Sequence, residues 1–231
     1  MLEDELEDIL GKAIRGQAKS HQELGLDQHS TPSLEHLELL AKNLDLSFSA
    51  LAGLDQAFST TELPPEVKMF TAPFGHLGVN CFLVKHQEKS YLIDTGTDPN
   101  LICDLQVDTL LITHAHPDHD ACASILDCPQ ISAKNAKRVH KLGIQSFDVS
   151  GHFSPSAAYF FPDLETPVCF VGDSIFRRSM GGCSSPKTYR TAIKNVKAML
   201  TELPSETILC VGHGPNTTVA EELEQNPFFA H

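Results

Sequence analysis

The sequence predicts an α/β domain preceded by a small all-α module. Three observations predict it. Apolar residues recur at helical spacing through the first 56 positions, whereas from residue 67 onward short strand-like apolar runs alternate with helical segments. The charge also shifts: residues 1 to 66 carry 4 Lys/Arg against 13 Asp/Glu, a net of −9, and residues 67 to 231 carry 13 against 17, a net of −4, together the −13 of the chain. The expected division is a helical module over 1–56, a linker over 57–66 marked by Ser59-Thr60-Thr61 and Pro64-Pro65, and a larger domain over 67–231.

Each element follows from local chemistry. Leu2, Leu6, Ile9, Leu10, Ala13 and Ile14 form one apolar stripe of a helix. Ser20 with Glu23 has the form of a capping box opening a short helix, and Thr31-Pro32 offers an N-cap and an N1 proline to a helix carrying Leu34, Leu37, Leu40, Ala41 and Leu44. Ser47 caps a further turn through Leu51. Beyond the linker, residues 80–84, 90–93 and 109–113 read as strands. The last lacks polar alternation, which implies burial on both faces. Residues 121–126 and 134–142 read as helices, 157–161, 168–171 and 207–211 as strands, and Ser185-Pro186 starts a helix running through Ala192, Val196 and Leu200.

Composition narrows the class. With 231 residues, 41% of them hydrophobic, and a mean hydropathy of −0.13, the chain suits one substantial core with a small appendage. No apolar stretch approaches the roughly 20 residues of a membrane span, and Met1-Leu2-Glu3-Asp4-Glu5 is unlike a signal peptide, so a cytoplasmic location without membrane partners is the expectation. The seven Cys are scattered and never spaced C-x-x-C, which favours reduced, packed thiols. Cys122 and Cys183 lie near motifs, as pocket-lining or packing residues.

The densest chemistry is Thr113-His114-Ala115-His116-Pro117-Asp118-His119, where three imidazoles and a carboxylate follow the apolar run Thr109-Leu110-Leu111-Ile112. Side chains alternate along an extended chain, so His114 and His116 point the same way from a strand end, while Pro117 turns Asp118 and His119 toward a neighbouring point. One strand end thus serves two adjacent ions. Further His and Asp residues beside glycines recur at Gly151-His152, Gly172-Asp173 and Gly212-His213-Gly214.

The pattern H-x-H-x-D-H followed by a distant His, Asp and His resembles the metallo-β-lactamase superfamily, in its glyoxalase II-like (hydroxyacylglutathione hydrolase-like) branch. The run from Phe74-Gly75-His76 to Leu83-Val84 resembles the opening strands of that fold, Tyr91-Leu92-Ile93-Asp94-Thr95-Gly96 its strand end, and Gly172-Asp173-Ser174-Ile175-Phe176 its later Asp segment. Val211-Gly212-His213-Gly214-Pro215 and Asn226-Pro227-Phe228 are similar to the end of glyoxalase II-like hydrolases. The resemblance runs from about Val67 onward and implies an αββα sandwich with its ligands on loops along one edge.

By that resemblance His114, His116 and His152 would hold one ion, Asp118, His119 and His213 the other, and Asp173 would bridge them. Asp118 and Asp173 are then the catalytic carboxylates as well. Two divalent ions are implied, zinc first, with iron or manganese also suited to imidazole and carboxylate donors. A hydroxide shared between ions roughly 3.5–4 Å apart would attack at neutral pH without a protein nucleophile, so hydrolysis of a small acyl thioester or ester is the expected reaction. A second expectation on the same fold is a mononuclear iron persulfide dioxygenase using His114, His152 and Asp173.

Asp94 either accepts from a ligand imidazole or caps the turn before Thr95-Gly96. His76 belongs either at the pocket mouth or on the surface. Arg177, Arg178, Lys187, Tyr189 and Arg190 either bind an anionic substrate or form a solvated face. His21, His29, His36, His86, His140 and His231 lack a ligand-like context and are expected on the surface. The chain departs from the branch in having Asp120-Ala121-Cys122 where a glycine is usual and Gly182 where an Arg is common. Its interval from Asp118 to His152 is short, and it lacks the helical extension that binds glutathione, so glutathione specificity is not implied.

Gly11-Lys12-Ala13-Ile14-Arg15 and Leu37 to Leu44 also resemble a Cro/repressor-type helix-turn-helix. A segment of net −9 with only Lys12, Arg15, Lys19 and Lys42 as cations would be repelled by phosphates. The expectation is a scaffold, or a dimer contact, rather than a DNA-binding unit.

Overall fold

A computed structural model describes residues 2–25, 32–57, 60–75 and 78–230. Three helices come first: α1 (Leu2–Gln17), α2 (Leu34–Leu44) and α3 (Phe48–Ala52). Then follow β1 (Val67–Ala72), β2 (Val79–His86), β3 (Lys89–Ile93), β4 (Thr109–Ile112), α4 (Pro117–Asp120), β5 (Gln130–Ser132), β6 (Gln145–Asp148), β7 (Ala157–Phe161), β8 (Val168–Gly172), β9 (Ile175–Phe176), β10 (Ser179–Met180), α5 (Pro186–Glu202), β11 (Ile208–Val211), β12 (Thr217–Thr218) and α6 (Val219–Gln225).

Two five-stranded sheets stack face to face. The first runs β1-β2-β3-β4-β5, antiparallel up to β3 and parallel thereafter; the second runs β12-β11-β8-β7-β6, with β8 and β11 parallel. Strand alternation divides the core accordingly. Tyr159, Phe161 and Phe170 face inward onto Phe82, Tyr91, Ile93 and Leu111 of the first sheet, while Ala158, Phe160 and Val171 face outward onto Ala192, Val196 and Met199 of α5. Leu92, Leu110 and Ile112 pack the other outer face with Ile102 and Cys122, which makes Cys122 a packing residue. This is the αββα layering the resemblance implied.

The N-terminal helices bury their stripes on the same chain. Ile9, Leu10, Ala13 and Ile14 of α1 and Leu37, Leu40, Ala41 and Leu44 of α2 share one apolar cluster with α5 and the outer face of the second sheet. Each fully buried Leu or Ile contributes about 1.5–3 kcal/mol. At Gly16 the contact with Tyr189 is so close that a Cβ would collide with the ring. Ser47 N donates to Pro227 O at 2.8 Å, joining α3 to the far end of the chain. Among the described residues no helix is long and apolar enough to cross a membrane.

Several local expectations need correction. α2 starts at Leu34 under Ser33, whose side chain accepts from His36 N, so Pro32 is not at N1; Thr31 lies outside the described residues. Ser20 and Glu23 do form the reciprocal bonds of a capping box, but these close turns over 21–25 rather than a helix. In place of a helix over 121–126, Pro117 at N1 opens α4 earlier and a 3₁₀ turn, Ala123–Ile125, follows. The segment Ala133–Leu142 is 3₁₀ and kinked at Asn135, whose side chain accepts from Ser132 N. β1, β5 and β6 had no clear sequence signal because they are edge strands with little burial to impose a pattern. His86 is not on the surface: it is buried on β2 with neither ring nitrogen hydrogen-bonded, its ring edge-on to Phe161.

Candidate metal centre

The first sheet's β4 and the second sheet's β8 and β11 end at one edge of the sandwich, where the sheets are stitched together. Asn80 N donates to Gly212 O, Asn80 Nδ2 to Val211 O and Gly214 O, and Ala157 N to Thr113 O, at 2.8–3.0 Å, while Gly212 N donates to Gly172 O at 2.9 Å within the second sheet. The His114 to His119 run leaves β4, Asp173 leaves β8 and His213 leaves β11 at this edge. Gly212 permits the approach: a Cβ there would collide with Asp173 Oδ1 and stand 2.7 Å from His119 Cε1. Gly172, at φ +53, takes a left-handed turn that would press a side chain against Thr113.

The ligand atoms form two sets. His114, His116, His152 and Asp173 make one, Asp118, His119, Asp173 and His213 the other, with all ligand atoms of each set within 4.8 Å of one another. In the first, His114 Nε2 and His152 Nε2 lie 3.1 and 3.2 Å from His116 Nδ1, and His152 Nε2 lies 3.6 Å from Asp173 Oδ2. In the second, His213 Nε2 lies 3.1 Å from Asp118 Oδ2 and 3.4 Å from Asp173 Oδ2, and His119 Nε2 lies 3.2 Å from Asp173 Oδ1. Asp173 is common to both. All seven residues singled out in the sequence are therefore brought together.

The outward nitrogens explain how the rings are aimed. His119 Nδ1 donates to Asp94 Oδ2 (2.8 Å), His152 Nδ1 to Gly182 O (2.7 Å) and His213 Nδ1 to Gly78 O (2.5 Å). Thr113 Oγ1 gives its single proton to Asp94 Oδ2 at 2.7 Å, so at 3.1 Å it accepts from His114 Nδ1. Each tautomer leaves Nε2 with an inward lone pair, the arrangement metal-binding imidazoles require. Buried His119 Nε2 and Asp173 Oδ1 make no hydrogen bond of acceptable geometry. Unsatisfied buried donors and acceptors are costly unless another partner takes them up. On these grounds the residues fit divalent cations.

A model of the metallo-β-lactamase superfamily matches residues 74–127, the stretch holding Asp94 and the His114 to His119 run. Over that stretch the chain is similar to the metallo-β-lactamase superfamily, whose fold it has. The hydroxyacylglutathione hydrolase GloC of Haemophilus influenzae is 26% identical over 194 residues, 64% of this chain and 92% of that protein. The probable metallo-hydrolase YqgX of Bacillus subtilis is 24% identical over 201 residues, 68% of this chain and 94% of that one. Among solved structures, TTHA1623 in a di-iron-bound form is 28% identical with a TM-score of 0.53, covering 69% of this chain and 99% of that one. The BLEG-1 B3 metallo-beta-lactamase, 23% identical with a TM-score of 0.57 over 71% of this chain and 100% of its own, shares the fold.

Electrostatics in this metallo-β-lactamase fold favour cations at the sheet edge. Burial opposes a charge on His119, but Asp94 and Asp173 outweigh it and push its pKa up to about 10. Burial likewise opposes ionisation of Asp173, yet the adjacent His119 and His213 rings hold its carboxyl well below the carboxylate range. His114 is pushed down to about 2, first by burial and then by the neighbouring His119. Carboxylates that hold a proton this strongly at His119 attract a metal cation for the same reason.

The other candidates separate. Asp94 takes the first of the two roles considered for it: its carboxylate accepts from His119 Nδ1, Thr113 N and Thr113 Oγ1, and it makes no capping bond to Thr95 or Gly96. His76 lies outside the described residues. Arg178 is not available to an anion, being buried with its guanidinium donating to Leu54 O, Gln56 O and Gln225 Oε1. Arg177 is held by Glu221 Oε1 at 2.9 Å. Lys187 is exposed in the first turn of α5, while Tyr189 and Arg190 line a cavity shared with Gly16, Gln17 and Asp45. Cys183 is half-buried, its thiol pushed up to about 11 by burial.

Sequence reasoning did not assign Thr113 or three aromatic residues to this site. Thr113 connects His114 to Asp94, a role visible only once β3 and β4 are paired. The Phe153 ring stands 4.7 Å from His116 and 5.8 Å from His114, and Phe74 and Phe176 stand 5.6 and 6.0 Å from His213. An aromatic beside each ligand motif was the available signal.

Proposed function

We propose that the protein is a metal-dependent hydrolase of a small acyl thioester or ester, working with two divalent ions. The observation that carries this reading is the convergence of two ligand sets on Asp173. His114, His116, His152 and Asp173 would hold one ion, and Asp118, His119, His213 and Asp173 the other. Bound there, divalent cations would lower the pKa of a water and polarise the scissile carbonyl. The chain's own contribution is orientation and shelter. Asp94, Thr113, Gly78 O and Gly182 O fix the tautomers of four imidazoles, Asp118 and Asp173 supply the compensating negative charge, and the rings of Phe74, Phe153 and Phe176 border the clusters with apolar surface suited to an acyl chain.

The hydrolase branch is supported by similarity to GloC, and two ions by similarity to TTHA1623, whose di-iron form leaves iron beside zinc as the metal. A single-ion dioxygenase built on His114, His152 and Asp173 would leave Asp118, His119 and His213 unused. We read the N-terminal helices as a scaffold for the larger domain rather than a DNA-binding unit, since their apolar stripes are covered by α5 and the second sheet. The test is metal analysis of the purified protein together with a panel of thioesters, esters, lactones, β-lactams and phosphodiesters. Two equivalents of metal and preferential thioester or ester turnover are expected. At most one equivalent, with no hydrolysis of any class, overturns the proposal.

A further inference from the structure

α5 meets the N-terminal helices across a cavity of about 420 Å³, within the usual range for small-molecule sites. Its floor is apolar and buried, formed by the Tyr189 ring and Phe228 against the backbone at Gly16. Its rim is cationic. Arg190, Lys194 and Lys197 follow one another at helical spacing on one face of α5, and Ile193 lies between them. None of the three cations has an acidic partner among the described residues, and Asp45 is the one carboxylate on the lining.

That arrangement is unusual for a chain of net charge −13. Like charges three and four residues apart on a helix repel each other and destabilise it, and here three cations gather above an apolar floor that Asp45 alone faces with a negative charge. A bound anion removes the repulsion, and an apolar body covers the floor. Tyr189 adds a polar group: its phenol is pushed up to about 12, chiefly by burial, and is hydrogen-bonded by Gln17 from α1. A ligand seated here touches both the N-terminal helices and α5.

We propose that this cavity binds a small organic anion, a carboxylate or phosphate carried on an aromatic or short alkyl body, at a site separate from the two metal-ligand sets. The inference does not rest on the hydrolase reading, because its test measures binding alone.

The probe is 8-anilinonaphthalene-1-sulfonate, an aromatic sulfonate, titrated by fluorescence into the full chain. One saturable site is expected, with octanoate and phenyl phosphate as competitors. The triple variant Arg190→Gln, Lys194→Gln, Lys197→Gln should weaken binding at least tenfold while its Tm stays level or rises, since the repulsion is gone. The single variant Ile193→Glu, which places a carboxylate on the same rim, should weaken it as well. Equal affinity in the triple variant, or no saturable binding by the wild type, overturns the proposal. Octanol competing as well as octanoate overturns the anionic class, and inorganic phosphate competing as well as phenyl phosphate overturns the requirement for an apolar body.

Discussion

Asp94 Oδ2 accepts a 2.8 Å hydrogen bond from His119 Nδ1, a residue 25 positions further along the chain. The same carboxylate takes Thr113 N and Thr113 Oγ1, and the hydroxyl in turn takes His114 Nδ1. One buried side chain thus orients an imidazole in each of the two candidate ligand sets. Asp94→Asn would place an amide N–H against the His119 Nδ1 proton or force the ring into the other tautomer, with its Nε2 proton facing the centre. Divalent-cation affinity should fall about 10- to 100-fold, as measured by chelator competition, with the circular dichroism spectrum unchanged. Unaltered affinity would mean that Asp94 does not set the tautomer of His119.

Asp173 belongs to both sets, whereas His116 belongs to one. Asp173→Ala should therefore lower bound metal in both positions, and His116→Ala in one alone. Elemental analysis after equilibration with a competing chelator distinguishes the two. Equal losses in the two variants would mean that the sets do not bind independently.

Arg178 matters for the fold. Its buried guanidinium closes the end of the helical module onto the β9–β10 hairpin and α6 by donating to Leu54 O, Gln56 O and Gln225 Oε1. Arg178→Met leaves buried carbonyls unpaired, so the unfolding free energy should drop by about 2–4 kcal/mol. Turnover per folded molecule should hold, because the side chain touches no ligand residue. Denaturant titration and kinetics below the transition temperature check both halves.

Glu222 provides a pH signature. Buried at the start of α6, it accepts from Thr217 Oγ1, Asn226 Nδ2 and Arg178 N, but burial outweighs these bonds and its pKa is raised to about 7 from 4.5. Between those values the folded chain binds more protons than the unfolded one, so this group's stability contribution falls as pH rises from 4.5 to 7. The full cost, present above pH 7, is about 3 kcal/mol at about 1.4 kcal/mol per pKa unit. Glu222→Gln mimics the protonated acid and should flatten this part of the profile, leaving the variant more stable than wild type at pH 8 and similar at pH 4.5. Parallel slopes for both proteins in denaturant series across that range would contradict it.

Much of this protein was determined by the sequence alone, and the reason is locality. His114, His116, Asp118 and His119 were legible as ligands because four donors fall in six residues at the end of an apolar strand, where alternation and a proline aim them without help from elsewhere. The buried strands β4, β7, β8 and β11 were legible because burial on both faces demands unbroken apolar runs. The stripes of α1 and α2 announced that they needed cover.

Tertiary structure alone decided what covers them and what each polar side chain touches. Nothing local distinguishes Arg177 and Arg178 from substrate-binding cations; only the packing of α6 and the 54–56 segment turns them into anchors. Thr113 became part of the centre only through the pairing of β3 with β4, and the cationic rim of α5 became a cavity only where α1 crosses it. These outcomes depend on contacts between residues far apart in the chain. Local spacing and propensity carry no information about such contacts until the sheets are stacked.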